Sequence, residues 1–63
     1  MFNPKWYNTE LSVISAEIFK DFLRDHSIRF ESSGCFNLIH FEIFVPSEKI
    51  FNLINDFLLF LPE

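Results

Sequence analysis

Ten of the 63 residues are phenylalanine, and Trp6 and Tyr7 bring the aromatic side chains to twelve. A chain this short buries only about 60% of the surface that its unfolded form exposes. Each residue it orders costs about 1.5 kcal/mol of conformational entropy. Aromatic rings, at roughly 150–250 Å² of buried area each, are an effective offset to that cost. Residues 1–63 are therefore read as one domain with one core, and the decisive question is how many of the ten phenylalanines that core can hold.

The hydrophobic spacing predicts an α+β order, (β)αββα. Residues 1–8 read as a loose or edge segment: Pro4 discourages a regular strand, while Trp6 and Tyr7 favour one. From there two readings compete for residues 6–14. In one, Trp6 to Ile14 is a strand and a helix begins after Ser15; in the other, a helix runs from Thr9 to His26. The helix over 15–26 is expected either way, with Ser15 as its N-cap and Glu17 in its first turn. Ile18, Phe19, Phe22, Leu23 and His26 form its apolar stripe, which Ile14 extends. A hairpin follows, with strands over 28–32 and 36–45 and Gly34 supplying the positive φ of the turn. A connection of even length puts Ile28 and Phe30 on the side of Ile39, Phe41, Ile43 and Val45. Pro46-Ser47-Glu48 then opens a helix over 47–61 whose stripe is Ile50, Leu53, Ile54, Phe57, Leu58 and Leu61, with Pro62 following. Both helices belong on one face of an antiparallel sheet. If the first strand forms, the order is ferredoxin-like without its last strand.

Charge and composition exclude several functions. Nine acids against five bases leave a net charge of −4. Nucleic-acid binding, which rests on Lys and Arg neutralising phosphate, is disfavoured, as is attraction to anionic lipid. The longest apolar run, Phe57–Leu61, is far short of the ~20 residues that span a bilayer, and the start of the chain lacks the apolar run of a secretory signal. Cys35 is the only cysteine, so no intrachain disulfide or cysteine zinc site forms, and a reducing, cytoplasmic setting is expected. Gly34 is the only glycine, which leaves no phosphate-cradling loop.

The residues that bear chemistry form no recognisable site. His40 and Glu42 share a strand face, but His26 and Cys35 fall too far away to complete a metal site. Cys35 at a hairpin tip has no base to activate it, and Ser32-Ser33-Gly34 does not lead into a helix as a nucleophile elbow must. No catalytic, cofactor-binding or metal-binding residue is assigned, and no enzymatic activity is expected.

Apolar surface in excess of the core is the remaining signal. Phe36, Leu38 and Phe44 fall on the second face of the hairpin, which neither helix can cover; Phe51, Leu59 and Phe60 exceed one helical stripe. Either the N-terminal segment folds across that face as a lid, or a protein covers it, in a homodimer or another partner. Glu17, Asp21 and Asp25 form an acidic line on the first helix, partly offset by Lys20 and Arg24 at i+3 spacings; it reads as an ordinary solvated face or as a charged surface suited to a basic partner. The expected interface residues are Phe36, Leu38, Phe44 and Trp6 as apolar anchors, with Glu17, Asp21 and Asp25 as charged contacts. The reading is a small acidic protein-interaction module that occludes or bridges a partner protein. Its size and charge are those of small inhibitors from phages and mobile elements, including anti-defence inhibitors of host proteins. The alternative is a homo-oligomeric regulatory domain that binds a small ligand.

Overall fold

Lys5 to Ser12 sends successive side chains to opposite sides, as an extended strand does. The computed structural model describes residues 2–61, apart from the side chain of Cys35; Pro62, expected beyond the last helix, lies outside the described residues. Its elements are β1 (Lys5–Ser12), α1 (Val13–Asp25), β2 (Phe30–Cys35), β3 (Leu38–Val45) and α2 (Glu48–Phe60). The strands form one antiparallel sheet in the order β1-β3-β2. With β3 between them, β1 and β2 run parallel, and α1 makes the crossover of a split β-α-β unit. This is the expected α+β order.

The open choice over residues 6–14 resolves towards the strand, which ends two residues earlier than expected, with the helix cap three residues earlier. β1 ends at Ser12, and its hydroxyl accepts the Ser15 N–H at 3.4 Å to cap α1. Ser15 is thus not the cap but a helical residue, fully buried, and the first turn holds no acid. The stripe of α1 is also turned. Ser15, Ala16, Phe19 and Leu23 are buried, whereas Ile14 is 72% and Ile18 43% exposed. Ser15 and Ala16 are the smallest side chains of α1, and they let its first turn lie close to the sheet where a larger residue would hold it off.

α1 ends in a Schellman motif. The Ile28 N–H donates to the Leu23 carbonyl at 2.9 Å and the Ser27 N–H to that of Arg24 at 3.0 Å. Ile28 and Leu23, the pair that accompanies such a motif, are both buried in the core. The motif requires a left-handed residue, and Ser27 takes that role at φ 55° in place of the usual glycine.

The hairpin turns later than its glycine suggests: its strands are Phe30–Cys35 and Leu38–Val45 rather than 28–32 and 36–45. Cys35 pairs with Leu38, so the loop is the two residues Phe36 and Asn37. Phe36, at φ 56°, carries the positive φ that a II′ turn needs at its first position. Gly34 has no positive φ. It sits within β2 opposite Ile39, where an added Cβ would meet the Ile39 Cδ1 at 3.0 Å. The glycine serves close approach rather than the turn. The connection is nonetheless even, and Phe30 stands opposite Ile43 on the side that the register argument requires.

Rings join the layers. Phe19 is fully buried, edge-on to Phe41 of β3 at 5.1 Å and parallel to Phe57 of α2 at 6.0 Å. Phe22 stacks on Phe57 at 3.9 Å. At the other end of the sheet, Tyr7 of β1 meets Phe51 of α2 edge-on at 5.9 Å. Both helices therefore cover the same face. Ser47 caps α2, its hydroxyl accepting the Ile50 N–H at 3.4 Å. Phe51, expected to be surplus, is half-buried: Phe2 packs on it at 6.1 Å, and the Lys5 ammonium lies 4.4 Å above its ring.

Glycine removes the steric cost of the left-handed conformation, about 1–2 kcal/mol, at some cost in unfolded-state entropy. Ser27→Gly is therefore expected to stabilise the domain by about 0.5–1 kcal/mol, read as a rise of about 3–6 °C in thermal midpoint. A lower midpoint would contradict the left-handed assignment at Ser27.

Candidate protein interface on the uncovered sheet face

A pleated sheet sends alternate residues to opposite faces, so the pairing register defines what lies on the side away from the helices. Four cross-strand rows result. Arg29, Phe44 and Trp6 form the first, the Phe44 N–H donating to the Arg29 carbonyl at 2.9 Å. Glu31, Glu42 and Asn8 form the second, and Ser33, His40 and Glu10 the third. Leu38 and Ser12 close the face beside Cys35.

Among the described residues no helix or terminal segment lies over these rows. Of the two alternatives, the lid is not formed by the described N-terminal residues, because residues 5–12 pair in the plane of the sheet as an edge strand and Phe2 packs against α2. Trp6 meets Phe44 edge-on at 5.5 Å and remains 45% exposed. Leu38 is 50% exposed. Towards the hairpin end, Glu10, Ser33, His40 and Leu38 line an open concavity of about 430 Å³, bordered by Phe36.

The electrostatics of the face are lopsided. Glu31 and Glu42 are directly opposite one another, and like charges in that position destabilise a sheet. Among the described residues neither has an ion-pair partner. Glu10 stands 3.8 Å from the His40 imidazole. Three carboxylates thus share the face with one guanidinium, Arg29.

The expected interface residues divide into two groups that the fold keeps apart. Trp6, Leu38 and Phe44 share the uncovered face, with Phe36 in the turn at its end, 96% exposed, rather than on the strand itself. Glu17, Asp21 and Asp25 each follow a buried position of α1 by two residues, about 200° around the helix. They point away from the sheet. Lys20 lies 3.9 Å from Glu17, and Arg24 lies 3.6 Å from Asp21. A second exposed apolar area lies on the helices, where Leu59 and Phe60 are more than four-fifths exposed.

Glu10, Glu31 and Arg29 escaped the sequence reading of this face. Their places depend on cross-strand partners, and those follow only once β1 is a strand and the loop has its position. Face alternation along β2 from Phe30 was the signal that could have found Glu31.

The row Ser33–His40–Glu10 has the residue types of a nucleophile, base and orienting acid. Such chemistry needs a hydrogen bond between nucleophile and base, and donors for an oxyanion. Among the described residues no hydrogen bond joins Ser33 to His40, and Ser33 lies on open surface. Nor do three His, Cys, Asp or Glu side chains among them converge as a metal site. No helix among them is long and apolar enough to cross a membrane.

Glu42→Gln removes the opposed charges and is expected to stabilise the domain by about 0.2–1 kcal/mol in urea unfolding. The gain should shrink as salt rises from about 20 to 500 mM, because exposed charges are screened. A salt-independent loss of stability would mean that Glu42 is held by a partner within the chain. No protein-family model, curated protein or solved structure matches this chain, so its function rests on the chemistry of its own surface.

Proposed function

We propose that the chain is a small acidic protein-interaction module that binds a partner protein and occludes or bridges it, with no enzymatic activity of its own. One observation supports this reading: among the described residues nothing is layered over one face of the sheet, yet that face presents Trp6, Phe44 and Leu38. A sheet normally buries its apolar faces against another element, and aromatic anchors ringed by polar groups are a common interface plan. The concavity beside His40 is open rather than enclosed, which suits occlusion of a partner. The setting is the cytoplasm, and the version favoured by size and charge is an inhibitor of the kind carried by phages and mobile elements. In the bridging version Glu17, Asp21 and Asp25 on α1 contact a second, basic partner.

The alternative reading, a homo-oligomeric ligand-binding domain, draws on the concavity beside His40 and Glu10. That concavity is lined by no Lys or Arg to hold an anionic metabolite, which is why it stands second.

The test is tagged capture from the native host, comparing the native chain with a Trp6→Ala/Leu38→Asp variant whose circular dichroism matches it. A near-stoichiometric partner should accompany the native chain and drop at least tenfold with the variant. Equal recovery with both would sink the reading. A melting shift with a small metabolite, together with concentration-dependent oligomers, would favour the alternative.

A further inference from the structure

We infer that the occupant of the uncovered face is a cationic amphipathic helix of a partner protein, an assignment that rests on the interface reading above. Charge argues first. The face carries Glu10, Glu31 and Glu42 against Arg29. A second copy laid on it would bring another set of carboxylates into a desolvated contact, and like charges juxtaposed across an interface cost several kcal/mol. Lys or Arg side chains would instead relieve the opposed Glu31 and Glu42, which nothing among the described residues neutralises.

The order of the rows argues next. Trp6 and Phe44 stand at one end, Leu38 at the other, and all three carboxylates lie in the two rows between. From Phe44 to Leu38 is six residues of strand, about 20 Å at 3.4 Å per residue. At 1.5 Å per residue a helix covers that distance in about 13–14 residues. Positions i and i+14 of one helix then meet the two apolar ends, while i+4, i+7 and i+11 pass over the carboxylates. A helix with apolar residues at the outer two positions and Lys or Arg at the inner three is complementary along its length. It would also complete the layering, since the opposite face already carries two helices.

Trp6 is the only tryptophan and lies on this face, so its emission reports occupancy. The probe is an 18-residue amidated helical peptide with Leu at the outer positions, Lys at the inner ones and no aromatic residue. Its controls are a scrambled peptide of the same composition and one with Glu in place of Lys. Expected is a saturable blue shift with the first peptide, with affinity at least tenfold weaker for either control. Raising salt from about 50 to 500 mM should weaken binding about tenfold or more. Glu31→Gln/Glu42→Gln should weaken it similarly, while Glu17→Gln/Asp21→Asn, on the far side, should leave it within about twofold. Equal response to the scrambled peptide, equal loss from the α1 variant, or no shift would overturn the inference. So would sedimentation showing a peptide-free dimer with Trp6 already blue-shifted, which makes a second copy the occupant. Host capture that depends on Leu38 but not on Glu31, Glu42 or salt would overturn this inference while leaving the interface reading intact.

Discussion

Phe19 is the residue on which the rest of the fold depends. It is the place where all three parts of the structure meet: its ring lies edge-on to Phe41 of the sheet and parallel to Phe57 of α2, while its own helix holds Phe22 against the same Phe57. Offset and edge-to-face ring contacts each add about 0.5–1.5 kcal/mol beyond the area they bury. A domain of this length has a net stability of only a few kcal/mol. The cluster therefore determines whether the two helices stay on the sheet, and the smaller group of Phe2, Tyr7, Lys5 and Phe51 ties down the N-terminal end of the same layer.

Putting both helices on one side has a consequence for the other. Two helices of 13 residues each are all the helical material available among the described residues, and the core around Phe19 uses both. The second sheet face is left with polar rows broken by Trp6, Phe44 and Leu38. A sequence shaped by stability alone would place opposite charges, or Thr and Ser, across the middle rows. It has Glu31 opposite Glu42 instead. Natural chains give up stability in this way mainly where a surface has another task, and that is the physical content of the interface reading.

The elements with strong local signals were legible in the sequence, and those that depend on a neighbour were not. α2 was readable because Pro46, Ser47 and Glu48 mark its start and its stripe has no competitor. β3 was readable from its β-branched and aromatic run. The position of β1 was ambiguous because Leu11 and Ile14 suit a strand or a helix equally, and only pairing with β3 decides between them. Gly34 misled for a related reason: a lone glycine near a hairpin reads as its turn, whereas here it relieves crowding against Ile39 and Phe36 accepts the strained φ. The stripe of α1 was misread because size stood in for burial, and Ile14 and Ile18 outranked Ser15 and Ala16. The same limit governed the interface. Leu38 and Phe44 of the proposed interface could be named from strand periodicity, but its carboxylates belong to three strands and exist as a group only in the folded register.

The separation of the two acidic surfaces changes what the net charge of −4 means. On α1 the carboxylates stand beside Lys20 and Arg24 at ion-pair distance, and such exposed helix pairs leave little uncompensated field. On the sheet face three carboxylates have one guanidinium among them. The shorter dimensions of the molecule are 20 and 18 Å, whereas the screening length at physiological salt is about 8 Å. A partner approaching the sheet face therefore feels Glu10, Glu31 and Glu42 and scarcely feels α1. Under the proposed interface, the acidity available to a partner is local, and it lies beside Trp6, Phe44 and Leu38 rather than along the helix where the sequence displays it most plainly.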